Sequence, residues 1–193
     1  GKSYDKAARE LEEIAKNIPN VDIHFKLGML YLQDKEYDKA VSEFRIVTAA
    51  RPKDIVSGYY LAIVLIELKQ YEEARTELKK ILSQDPKNMN AFLNLALTYV
   101  RQERYAEAAK VYEEVLTFET GKADLYAELG HIYIQMKDYK KADDILGKGL
   151  KLFRDNDELN FTMAVLNEKT GKTERMFEYL KKTIAINPKH ADA

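Results

Sequence analysis

Apolar and polar positions alternate along this chain with helical spacing, interrupted at regular intervals by short polar turns. Residues 3–17 place Tyr4, Ala7, Ala8, Leu11, Ile14 and Ala15 on one face, the spacing of an amphipathic helix. Pro19 ends that segment. Beyond it the pattern repeats: a helix of about 13 residues, a polar turn and a second helix. Tyr37, Tyr71, Tyr105 and Tyr139 recur every 34 residues, and so do Ala40, Ala74, Ala108 and Ala142. A fixed period of this size predicts a repeat array in which each helical hairpin stacks on its neighbours. Five hairpins are expected, over 21–54, 55–88, 89–122, 123–156 and 157–190, preceded by the single helix of 1–20.

Within each hairpin two stripes separate. Leu27, Gly28 and Tyr31 on the first helix face Ala40, Phe44 and Val47 on the second. Gly28 lets the two helices approach, and Phe44 fills the space beside it. Pro52 follows the second helix, where it interrupts no interior hydrogen bond. Two glycines, Gly147 and Gly149, lie inside a helix, each at a propensity cost of about 1 kcal/mol relative to Ala. Gly149 implies either close packing or a local bend.

These positions resemble the tetratricopeptide repeat (TPR) family, whose pattern is L-G-x-x-Y, then A-x-x-x-F, then P. The first repeat has Leu27-Gly28, Tyr31, Ala40, Phe44 and Pro52; the second has Leu61-Ala62, Leu65, Ala74, Leu78 and Pro86. The third has Leu95-Ala96, Tyr99, Ala108 and Tyr112, and the fourth Leu129-Gly130, Tyr133, Ala142 and Leu146. The fifth diverges most, with Met163-Ala164, Asn167, Met176, Leu180 and Pro188. His24, Gly58, Phe92, Tyr126 and Asn160 stand where the family usually has tryptophan. The resemblance covers nearly the whole chain. It implies an all-α, right-handed α-solenoid of helix-turn-helix repeats, about 11 helices in all. By phase Ala191 opens a further first helix, so the chain is expected to be cut from a longer TPR protein.

Composition narrows the function classes. Lys+Arg number 31 against 32 Asp+Glu, so no general electrostatic grip on nucleic acid or anionic lipid is expected. There are no cysteines, which removes disulfides, thiolate metal sites and cysteine nucleophiles. No apolar run approaches the ~20 residues that span a bilayer. No direct membrane insertion is expected, and a water-soluble chain of the cytoplasm is the plainest reading, with a periplasmic or membrane-anchored full-length protein left open. The three histidines, His24, His131 and His190, are far apart in sequence, and no HExxH, GxSxG, GxGxxG or P-loop pattern occurs. Neither enzymatic activity, a metal nor a cofactor is predicted.

The resemblance puts the first helices on a concave groove and the second helices on the back. In the first repeat the stripe facing that groove is Phe25, Met29 and Leu32. Its counterparts are Tyr59, Ile63 and Ile66; Leu93, Leu97 and Val100; Ala127, His131 and Ile134; and Phe161, Val165 and Glu168. The row is apolar, unlike the Lys/Asn/Arg clamp of the chaperone-binding members. Residues 55–68 are apolar at 11 of 14 positions, as expected of a helix that is buried on most sides and also lines an apolar channel. Leu32, Ile66, Val100 and Ile134 fit either the core or the groove. The candidate partner-binding residues are Phe25, Met29, Tyr59, Ile63, Leu93, Leu97, Arg101, His131 and Phe161. Polar rim candidates are Asp22, Gln33, Asn90, Asn94, Asp124, Glu128 and Gln135. The implied partner is an apolar peptide or amphipathic helix of another protein. Self-association through the repeat ends, or sensing of a short regulatory peptide, are the alternatives.

Overall fold

The computed structural model describes residues 2–18 and 20–189, the stretch 2–6 by its backbone alone. The expectations placed on Pro19, His190 and Ala191 lie outside the described residues, as does the side chain of Tyr4. Among the described residues there are eleven helices and no strand. In order they are α1 (Lys2–Asn17), α2 (Val21–Gln33), α3 (Tyr37–Ala50), α4 (Ile55–Glu67), α5 (Tyr71–Gln84), α6 (Met89–Val100), α7 (Tyr105–Val115), α8 (Ala123–Gln135), α9 (Tyr139–Leu152), α10 (Asp157–Lys169) and α11 (Thr173–Ile186).

The turn inside every hairpin has one construction. Lys35, Lys69, Glu103, Lys137 and Gly171 all adopt positive φ, between 56° and 70°. The next amide in each case reaches back five residues. Glu36 donates to the Tyr31 carbonyl at 2.8 Å, Arg104 to Tyr99 at 2.9 Å and Lys172 to Asn167 at 2.8 Å. These are Schellman turns, which satisfy the carbonyls a helix end leaves free. Four of the five have a side chain where glycine is the usual residue, so the turn signal is weak in the sequence although the geometry is strict.

The first helices also start alike. Asn20 accepts from the Asp22 amide at 2.9 Å, Asp54 from Val56 at 3.0 Å, Asn88 from Ala91 at 3.0 Å and Asn156 from Leu159 at 2.9 Å. At the same place before α8 stands Lys122, whose extended backbone suits a cap but whose side chain accepts nothing. Lys122→Asp is therefore expected to add about 1 kcal/mol, read as a higher urea midpoint with an unchanged slope.

The chain divides into two compact units, 1–98 and 99–193. In the first, Phe44 is fully buried and lies parallel to Tyr60, 5.8 Å between ring centroids. Phe25 meets both rings edge-on, at 5.8 and 5.9 Å. A Cβ on Gly28 would come within 2.8 Å of the Phe44 ring, so the glycine is what lets α2 and α3 close on it. In the second unit Leu146 occupies the equivalent place opposite Gly130. Gly149 is buried, and a Cβ there would lie 2.8 Å from Tyr126 Cβ and 2.9 Å from Leu159 Cδ2. Close packing, not a bend, explains this residue. Gly147, two residues earlier, has no such neighbour within 4 Å.

Hydroxyl-to-carboxylate bonds tie first helices to the second helices before them. Tyr31 on α2 donates to Glu12 on α1, and Tyr133 on α8 to Glu113 on α7. Burial, reinforced by the carboxylate partner, pushes both phenols well above their ordinary range.

Candidate functional site

In the first unit the six apolar candidates, Phe25, Met29, Tyr59, Ile63, Leu93 and Leu97, are all half-buried. They come from α2, α4 and α6, at positions one turn apart on each helix. The stripe beside them, Leu27, Leu61 and Leu95, is buried in the hairpin interior. This separation follows from helix geometry, since residues one or two positions apart point in different directions. One turn further on the row splits. Ile66 is only 2% exposed and belongs to the core, whereas Leu32 remains accessible.

Leu32 borders an open cleft of about 690 Å³ between α1 and α2. Its walls are Leu11 from α1 and Phe25, Met29, Leu30 and Leu32 from α2, with Lys26 and Gln33 at its edge. Neither Leu11, one of the apolar face of α1, nor Leu30 is marked by the sequence as a groove residue. Each looks like an ordinary packing position on its own helix, and only the docking of α1 on α2 brings them to the cleft.

The polar rim is partly committed. Asn94 on α6 donates to the Tyr59 hydroxyl at 3.2 Å and to the Asn90 carbonyl at 2.9 Å, which fixes the Tyr59 ring. Asp22 accepts from Arg51 at 2.7 Å, within its own hairpin. Helix α4 has the expected double character. Leu61, Ala62, Val64, Leu65 and Ile66 are buried, while Tyr59 and Ile63 reach the surface.

The second unit differs. Ala127 is 2% and Ile134 4% exposed, so both members of the row are core. His131 is exposed, with its Nε2 accepting from Gln135 Nε2 at 3.2 Å. Arg101 is exposed, and Phe161 and Val165 are half-buried. Loss of water contact raises the Glu128 carboxyl above its usual range; His131 pulls it down, and Glu158 and Asp124 push it further up. Helices α8 and α10 carry Asp124, Glu128, Asp157, Glu158 and Glu168 against Lys169, so this unit's first helices are acidic where those of the first unit are apolar. Among the described residues no cluster of His, Cys, Asp or Glu is placed to hold a metal ion, and no helix is long and apolar enough to cross a membrane.

Comparison with known proteins bears on the family and the fold. Two family models described as tetratricopeptide repeat match the chain, one over residues 1–55 and 59–126 and the other over 99–160. No curated protein matches. Among solved structures, a MamA fragment from Desulfovibrio magneticus RS-1 is 18% identical, covering 88% of this chain and 96% of its own, with a TM-score of 0.74. A second MamA structure is 20% identical, covering 89% and 94%, also with a TM-score of 0.74. At such identities the likeness concerns the fold. The repeated motifs, the hairpin packing and the match over more than half the chain lead to one conclusion: this protein is an all-α solenoid that belongs to the tetratricopeptide repeat family.

Proposed function

We propose that this TPR chain, a protein-interaction scaffold, holds an apolar peptide or the apolar face of an amphipathic helix against the first helices of its first unit. The observation that carries this reading is the row Phe25, Met29, Tyr59, Ile63, Leu93 and Leu97, half-exposed and continuous with the apolar cleft at α1 and α2. A soluble protein rarely leaves such a surface open unless something binds there. Aromatic anchors with a polar rim are what helix-in-groove recognition uses. Arg101, His131 and Phe161 are proposed as contacts within the second unit, where the acidic first helices would favour basic flanks on the ligand.

Self-association is a second reading. Ile14 on α1, Ile18 just after it, and Phe177 and Ile184 on α11 are each between 42% and 53% exposed. One set of measurements separates the two. Peptides selected from a displayed random library against the chain would be titrated calorimetrically into the native protein and into Tyr59→Asp with Leu93→Asp. A loss of at least tenfold with unchanged helicity is expected, as for the removal of two anchors. Equal binding by both proteins would refute the groove. A mass that rises with concentration in light scattering, and falls with Phe177→Ser, would favour self-association instead.

A further inference from the structure

A second site lies on the opposite helices of the second unit, where one repeat position has changed its chemistry. In the first two hairpins, Arg45 on α3 reaches Glu73 on α5 at 2.7 Å and closes the gap between second helices. Lys80 pairs with Glu77 at 2.7 Å, and Asp54 is engaged in capping α4. The cavity left there is about 260 Å³. Three repeats later, Gly147 stands in place of Arg45 and Arg175 in place of Glu73. Tyr179 replaces Glu77, Asn156 replaces Asp54, and Lys151 and Arg154 replace the neutral Ala49 and Pro52. Lys182 keeps the position of Lys80. Among the residues that line the two places, two cations and two carboxylates (Arg45, Lys80, Asp54 and Glu77) have become four cations and two carboxylates, the latter being Asp143 and Asp155.

The structure shows the result between α9 and α11. With no long side chain at Gly147, the gap opens into two adjoining cavities of about 500 and 530 Å³, which share Leu150, Arg154 and Tyr179. Arg154 and Lys182 line one of them, and Lys151, Arg154 and Arg175 the other. None of these four cations is in an ion pair among the described residues, whereas Arg45 and Lys80 both are. Asp155 and Asp143 are the carboxylates in the two linings. The floor is apolar, from Leu150, Met163 and Ile186. The Lys182 ammonium sits 4.9 Å over the Tyr179 ring. Buried Asn160 donates to the Arg154 carbonyl at 3.1 Å and so ties the segment carrying Arg154 to α10.

We propose that this cleft binds an acidic segment of a partner protein, with carboxylates on Arg154, Arg175, Lys151 and Lys182 and an apolar side chain on the floor between them. Arginine forks suit carboxylates in two-point contact. The apolar floor distinguishes a peptide from a bare phosphate. A nucleic-acid strand is a poorer fit, because single-strand binding uses several stacking rings and a basic track, and here one ring lies in a chain of net charge −1.

The test is fluorescence anisotropy of the whole chain with a labelled octapeptide of alternating glutamate and leucine, and with its glutamine and leucine counterpart. The acidic peptide is expected to bind at least tenfold tighter, and to weaken as salt rises. Arg154→Glu with Arg175→Glu should lose that preference. Gly147→Arg is the decisive variant: it adds a cation and a better helix former, yet restores the plug. It should weaken binding with helicity kept. Tyr59→Asp with Leu93→Asp should leave acidic-peptide binding unchanged, which keeps this site distinct from the apolar groove. Tighter binding by Gly147→Arg would overturn the cleft in favour of diffuse surface charge. Absence of acidic-peptide binding would overturn it as well, as would tighter binding of oligothymidylate or phosphatidylserine vesicles.

Discussion

Phe44→Ala is expected to lower the stability of the first unit by about 3–5 kcal/mol, the usual range for removing a buried phenylalanine. The ring is fully buried, lies parallel to Tyr60, receives Phe25 edge-on and packs against Gly28. Its loss leaves a cavity that cannot collapse easily, because three elements, α2, α3 and α4, converge on it. Folded domains hold only about 5–15 kcal/mol in total, so most of that unit's margin would go. Urea denaturation followed by circular dichroism should show an early transition. The second unit supplies the internal control, because Leu146 opposite Gly130 makes no use of Phe44. A variant that melts with the native midpoint would mean that the aromatic cluster is not the keystone of these hairpins.

The second large effect concerns two glycines on one helix that should respond in opposite directions. Gly149→Ala is expected to destabilise by about 1–3 kcal/mol through overpacking, even though alanine is the better helix former. The added methyl would meet Tyr126 Cβ at 2.8 Å, and a Cβ is tied to its backbone and cannot swing away. Gly147→Ala meets nothing within 4 Å. It should stabilise by about 0.5–1 kcal/mol, the propensity difference alone. Thermal melts of the two single variants, run side by side, test this. If both stabilise, α8, α9 and α10 are packed less closely than the structure shows.

The groove and the basic cleft make the two sets of helices chemically different. The first helices of the first unit offer half-buried apolar side chains on successive turns. In the second unit, Lys151, Arg175 and Lys182 on the second helices, with Arg154 just after α9, surround an opening and form no ion pair among the described residues. A scaffold with both could hold two kinds of segment without competition between them. Tyr59→Asp with Leu93→Asp is expected to leave acidic-peptide binding intact.

Much of this was legible in the residues. The 34-residue recurrence of Tyr37, Tyr71, Tyr105 and Tyr139 announced the hairpins, because a repeated hairpin must present the same packing residues at the same phase. The pairing of Gly28 with Phe44 could be inferred too, since a small residue and a large one alternate across the same contact. The existence of the eleven helices followed from apolar periodicity, and their assignment to a TPR solenoid from the recurring motif.

Other features depended on three-dimensional neighbours. Ile66 and Ile134 occupy the same phase as Leu32, yet they are core, whereas Leu32 borders the cleft between α1 and α2. Arg75 reads as one more exposed cation on α5, but it is 4% exposed, with Glu72 and Thr98 as partners. Gly147 and Gly149 look alike in the sequence, and only their surroundings make one an opening and the other a contact. Periodicity determines which way a side chain points from its own helix. What it meets there, whether another helix, a bonding partner or open space, is decided by the packing of helices far apart in the chain.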